Sequence, residues 1–292
     1  MLPLDALLLL GSTAALTVGG GVGLASLLVR RPAPPPSEAA VRARQHATVV
    51  NVTACLLALA WAVGPVAAYL GVVREAIRDS DYGTIRAWWW PLVYSAGPLV
   101  VGLSYLGVHA VGEWRWPRPT GTRRRAALVP RDDSGPVWLR RLTLTWACLI
   151  AAVLVGLFSV RNPNLPSQFW TLLHIGVVVS TVALVAATAG VLALIRARPA
   201  VVDTDPDYDA ASRRLSAHRV LRGTQFVLAM SLALNLIMVF YLFTAGWTLP
   251  SGVGNSAAVL GFTVAVTGVV VSAVPARAAK TTEVQPSVPE AS

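Results

Sequence analysis

Apolar positions along this chain fall in long unbroken blocks rather than at strand or amphipathic-helix intervals. Seven blocks stand out, at about 5–29, 49–73, 90–111, 142–160, 170–195, 224–246 and 254–275. Each holds roughly the twenty residues that a helix needs to cross a bilayer, the fourth slightly fewer. All are rich in Ala, Leu and Val and lack the alternation of a membrane β-barrel. The pattern predicts an all-α fold, a polytopic transmembrane helical bundle with seven crossings. Pro65, Gly97 and Pro98 inside the blocks are tolerated in packed membrane helices. The seventh block, GVGNSAAVLGFTVAVTGVVVSAVP, is Gly-rich yet contains no ionised residue.

Two polar stretches read as helical approaches to the apolar blocks. In RRPAPPPSEAAVRARQHATVV, Ser37 is placed to cap a helix with Glu38 in its first turn, and the helix runs on into the second block. In RARPAVVDTDPDYDAASRRLSAHRVLRG, Asp205 is the candidate cap, Pro206 suits the first helical position, and Asp207 and Asp209 occupy the first turn. Glu38-Ala-Ala-Val-Arg42, with His46 beyond it, parallels Asp209-Ala-Ala-Ser-Arg213, with His218 beyond. Either an internal duplication or the recurrence of caps and interfacial arginines accounts for the likeness. Residues 112–141 are too rich in Pro and Gly for one helix, and RDDSG at 131–135 reads as a turn.

Composition removes the soluble alternative. The chain is 55% hydrophobic and 13% charged, with a mean hydropathy of +0.61, against about 25% charged for an ordinary soluble domain. The formal net charge of +10 would suggest nucleic acid in a soluble protein, but 23 of the 24 basic residues are Arg and their positions say otherwise. The stretches after blocks one, three and five, with the tail, hold 20 of them, and the alternate stretches hold only Arg74, Arg78, Arg86 and Arg161. That alternation places the N-terminus outside and the C-terminus in the cytoplasm. It predicts a multi-pass protein of the cell membrane whose partner is anionic lipid headgroups at the cytoplasmic face, not nucleic acid. Arg123, Arg124, Arg125, Arg213 and Arg214 form the expected inner basic border. Trp88, Trp89, Trp90, Trp170 and Trp247 fit an outer aromatic belt, and Trp114, Trp116 and Trp138 an inner one.

The first block is expected to be a retained helix rather than a signal peptide, because MLPLD lacks a basic n-region while Arg30 and Arg31 follow the apolar run. Residues 1–280 then make one seven-helix domain and 281–292 a disordered cytoplasmic tail.

Candidate chemistry is sparse. No Asp, Glu, Lys or Arg lies near the centre of a block, which counts against a carboxylate proton relay, a voltage sensor or a Schiff-base lysine. Asp5 and Glu113 sit near block ends, where water is expected to be close. His46, His109, His174 and His218 fall at different depths and make no metal-binding spacing. Cys55 and Cys148 read as small buried filler, and the GGGVG run at 19–23 as close helix packing. Asn51-Val-Thr53 matches a glycosylation sequon by accident of position. Asn51, His109, His174, Gln225 and Asn235 are the polar positions expected to face the bundle, since an unpaired amide in lipid is costly. The outer stretch REAIRDSDYGTIRAWWW is the external region that mixes charge with aromatics, and a candidate place for an outside molecule to be felt.

The Arg/Ala-rich approach AVRARQHATVV, the acidic turn and basic segment DTDPDYDAASRRLSAHRVLRG, the embedded Asn235 and the RDDSG turn resemble a known group. They are similar to uncharacterised actinobacterial multi-pass membrane proteins related to the SdpI-like immunity group, most closely over 196–245. The resemblance implies a role in sensing or neutralising an envelope-active peptide. The group's external Pro-x-His and Gly-x-x-Asp pattern is not recognisable in 74–90, and NLPSQFW at 164–170 is at most a remnant. No catalytic residue is therefore carried over.

The expected function is that of a non-enzymatic integral membrane protein, without metal or cofactor, that senses or resists an external envelope-active molecule or partners another membrane component. The alternative is a small-solute transporter or permease-like protein whose polar path is lined by Asn51, His109, His174, Gln225 and Asn235. A membrane-embedded enzyme on lipid substrates would draw on Asp132 and Asp133, which are adjacent rather than spaced over a helix face.

Overall fold

A hydroxyl begins the first helix of the computed structural model, which describes residues 37–79, 82–117, 136–159, 167–201, 206–244 and 251–273. Ser37 Oγ accepts the Ala40 N–H at 3.2 Å, and α1 runs from Glu38 to Asp79 without a break. It is followed by α2 (Tyr82–Trp114), α3 (Val137–Ser159), α4 (Ser167–Ala197), α5 (Pro206–Thr244) and α6 (Ser251–Ala273). The first block (5–29), the tail (281–292), Arg123, Arg124, Arg125, the RDDSG turn and Asp205 lie outside the described residues.

Both expected helical approaches continue into apolar helix, and Pro206 is the first residue of α5 as its fixed φ favours. At 42 and 39 residues, α1 and α5 measure about 63 and 58 Å at 1.5 Å per residue, roughly twice the hydrocarbon thickness of a bilayer. Their N-terminal turns therefore extend well beyond their apolar blocks.

Three described helices carry spans long and apolar enough to cross a membrane: Val137–Leu157, Trp170–Ala197 and Tyr208–Ile237. The outward faces of α3, α4 and α6 bear Leu144, Val155, Ile175, Val182, Val259 and Phe262, all more than half exposed. Such faces have no place in water and are the normal outer surface of a bundle in lipid. The protein is a multi-pass helical protein of the cell membrane.

The helices are not equally enclosed. Of the Tyr208–Ile237 span 67% is buried, against 28% of Val137–Leu157. α5 packs on α2, α3, α4 and α6, while α1 packs chiefly on α2. Leu106, Leu139, Ile150, Leu173, Leu184, Val220, Leu221 and Leu228 fill the centre. Close approach is achieved where glycine removes a side chain: the Tyr105 ring lies where a Cβ on Gly223 would stand, and Val50 occupies the same place at Gly112. Threonine hydroxyls within the helices donate to the carbonyl four residues back, at Thr143, Thr181, Thr188 and Thr263 among others. That local bond removes the cost of a free hydroxyl in an apolar setting.

Candidate functional site

The buried charge gathers at one end of the bundle, where α1, α3 and α5 begin and α2 and α4 finish. The first element is a helix cap. The C-terminal carbonyls of α4 have no intrahelical donors and carry the negative end of the helix dipole. Arg213, from α5, meets them: its Nη1 donates to the Ile195 and Arg196 carbonyls at 3.0 and 2.8 Å, and its Nη2 to the Arg198 carbonyl at 2.9 Å. Its Nε donates to Asp209 Oδ2 at 2.7 Å, one turn back on the same helix. The Val201 N–H reaches Asp209 Oδ1 at 3.4 Å. All of these fork positions are used, which is the geometry that a guanidinium offers and an ammonium does not.

Beside the cap lies a second pair that joins elements distant in sequence. Arg198 Nη1 donates to Glu113 Oε2 at 3.1 Å and Oε1 at 3.4 Å, and the two side chains are 0% and 5% exposed. The same guanidinium donates to Ser216 Oγ and Ser212 Oγ on α5 at 3.2 and 2.9 Å. It stacks with Cζ 3.8 Å from the centre of the Trp116 ring. Burial presses the Arg198 guanidinium below its ordinary value, and the Glu113 charge and hydrogen bonds oppose that pressure.

Adjoining this pair is a cavity with about 10 Å³ of space for the centre of a water-sized particle, enough for one water. Its walls include His46, Val50, His109, Glu113, Trp116 and Arg219. His46 Nε2 bonds the Gly112 carbonyl oxygen at 2.9 Å, and its ring meets Trp116 edge-on at 5.6 Å. The Tyr105 hydroxyl donates to the Arg219 carbonyl at 2.9 Å, and the Tyr105 ring lies 4.7 Å from that of His109. Two buried polar atoms here have no hydrogen-bond partner, His109 Nε2 and Arg219 Nε.

The five polar positions expected to line one path occupy separate stations. His109 lines the cavity. Gln225 is buried, and its Nε2 donates to the Leu139 carbonyl of α3 at 2.9 Å. Asn235 is fully buried, with its amide turned to the Ser231 carbonyl of its own helix at 2.7 Å. His174, half-buried, bonds the Trp170 carbonyl at 2.6 Å and lies about 36 Å along α4 from Arg198. Asn51 is 3% exposed on α1, so a glycan on its amide would not fit.

Several residues differ from their sequence expectation. Arg213, assigned to the basic border, is 3% exposed, because the α4 carbonyls and Asp209 replace water around it. Arg214 beside it is exposed. Glu113, expected near water, is buried by its pair with Arg198. Trp116 and Trp170, assigned to the aromatic belts, are buried, the first beneath Arg198, whereas Trp114 and Trp138 are exposed as belt residues are. Cys148 is exposed rather than core filler, whereas Cys55 is half-buried and packs against the core. Among the described residues no group of three or more His, Cys, Asp or Glu could hold a metal. Sequence reasoning passed over Arg198, although it is the one Arg of its stretch placed just beyond a long apolar helix and before a proline.

Comparison with protein-family models, with curated proteins and with solved structures finds no match to this chain.

Proposed function

We propose that this is a non-enzymatic membrane protein of seven crossings, N-terminus outside and C-terminus cytoplasmic, that senses or resists an external envelope-active molecule or partners another membrane component. The observation that carries the reading is the disposition of its ionised groups. Arg198 with Glu113 and Arg213 with Asp209 are closed on one another and tie α2, α4 and α5 at one end. A bundle locked there by buried pairs is suited to transmit or resist a rearrangement, since such pairs have discrete arrangements rather than a continuum. The solute-path alternative draws less support, because Gln225, Asn235 and His174 bond to backbone carbonyls at separate depths. The resemblance to the SdpI-like group supports the immunity version, chiefly through the motifs in 196–245. Exposed Arg214 and Arg115 are suited to anionic headgroups on the cytoplasmic side.

Deletion of the gene followed by challenge with a panel of envelope-active peptides and antibiotics tests the role. Heightened sensitivity to at least one is expected, and unchanged sensitivity throughout overturns the resisting version. For topology, Asn164→Cys in a cysteine-free background should react with an impermeant maleimide on intact cells, and Ser134→Cys only after permeabilisation. The reverse pattern overturns the orientation.

A further inference from the structure

The buried end of the bundle is unbalanced in charge. Arg198 is answered by Glu113 and Arg213 by Asp209, but Arg219 has no carboxylate within ion-pair distance among the described residues. Its hydrogen bond is a long one, Nη1 to the Ala47 carbonyl at 3.5 Å. Glu113 borders the same cavity, yet both of its oxygens accept from Arg198 Nη1. The Arg219 Nε–H and the 3% exposed His109 Nε2 both lack a partner, and both residues line the cavity. Arg219 is partly buried, and a guanidinium partly withdrawn from water without a countercharge is costly, as is each orphan polar atom.

We propose that the cavity between α1, α2 and α5 binds one small monovalent anion of the halide class, held by Arg219 and His109. The size of the space sets the class, because a monatomic halide is only slightly larger than the single water that the cavity admits, and a phosphate or carboxylate is much larger. The donors are of the right kind: Arg219 offers Nε–H, and His109 in its Nε2–H tautomer offers a second N–H. A water in the same place would satisfy both atoms but leave the third guanidinium unanswered. The anion supplies hydrogen-bond acceptance and countercharge together. The site lies about 8 Å along α5 before the apolar block at 224–246 begins, at the same end of the bundle as the two buried ion pairs.

The test is thermal unfolding of the purified chain in nanodiscs of neutral phosphatidylcholine, which contribute no anionic headgroup. Chloride is titrated against gluconate at constant ionic strength. A saturable rise of about 3 °C or more is expected for the wild type, with bromide acting likewise. In Arg219→Met the rise disappears, and the midpoint in gluconate is no lower than that of the wild type, because an unanswered charge has been removed. In His109→Phe, which keeps a ring against Tyr105, half-saturation moves to roughly tenfold higher chloride or beyond. Equal midpoints in the two salts for the wild type mean a water only and overturn the proposal. A chloride effect that persists in Arg219→Met overturns it as well. If Arg219→Met does not fold, the wild-type titration and His109→Phe decide the matter.

Discussion

Glu113→Gln should be among the most damaging single substitutions in the described part of the bundle. The carboxylate is 3.1 Å from Arg198 Nη1, and the two side chains are 5% and 0% exposed, so water screens the pair weakly. At about 4 Å between charge centres and an effective dielectric near 20, the attraction is about 4 kcal/mol. Removing one member of a buried pair characteristically costs about 3–5 kcal/mol, since the other charge is left stranded. Ser212, Ser216 and the Trp116 face still touch the guanidinium, but the cation–π part is worth only about 2 kcal/mol. A loss of about 3 kcal/mol is therefore expected for Glu113→Gln. Arg198→Met, placed on top of it, removes the stranded charge and should return the protein to within about 1 kcal/mol of wild type. Denaturant unfolding in mixed micelles, followed by circular dichroism, of the wild type, both single variants and the double variant gives the coupling directly. The reasoning is refuted if Glu113→Gln costs under about 1 kcal/mol, or if the double variant is no more stable than Glu113→Gln.

The remaining predictions address the cap, the helix contacts and the embedded amide. Arg213→Lys should lose about 2–4 kcal/mol in the same assay and recover little relative to Arg213→Ala, because three carbonyls and a carboxylate require a planar fork. Gly223→Ala drives a methyl into the Tyr105 ring and should cost about 1–3 kcal/mol, whereas Gly107→Ala, with nothing within 4 Å of its Cβ position, should be neutral or stabilising by melting midpoint. Gln225→Leu gives up one bond to the Leu139 carbonyl, which Thr143 also serves, and should change stability by about 1 kcal/mol or less.

What the sequence disclosed follows from which interactions are local. The apolar blocks report bilayer crossing residue by residue, and α1 and α5 extend through their approaches because Ser37 and Pro206 act within one turn. The Glu113–Arg198 pair spans 85 positions, so neither residue bears any local mark of the other. Trp116 and Trp170 are buried where an aromatic belt is expected for a related reason: a tryptophan near a block end suits an interface equally whether it faces lipid or a neighbouring helix. Counting arginines for topology has the same blindness, since Arg198 and Arg213 are counted as border charges while their side chains are spent on protein partners.

The two parallel helical approaches show why spacing alone does not reveal a site. Glu38 and Arg42 sit four residues apart, as do Asp209 and Arg213. In α1 that spacing produces an ion pair of 3.8 Å between side chains 86% and 64% exposed, of a kind worth at most about 0.5 kcal/mol. In α5 it produces a 2.7 Å pair at 6% and 4% exposure, whose arginine also closes the end of α4. The chemistry of the two pairs is nearly identical; the surroundings are not. α5 packs on four neighbours, so a charge on its first turns must find protein partners, while α1 leans chiefly on α2 and leaves Glu38 and Arg42 in solvent. The approaches touch through long side chains, Tyr208 to the Ala40 carbonyl at 3.5 Å and Arg219 to that of Ala47 at the same distance. Position in the bundle, rather than the motif, therefore makes one pair a surface contact and the other a joint that closes the end of α4 on α5.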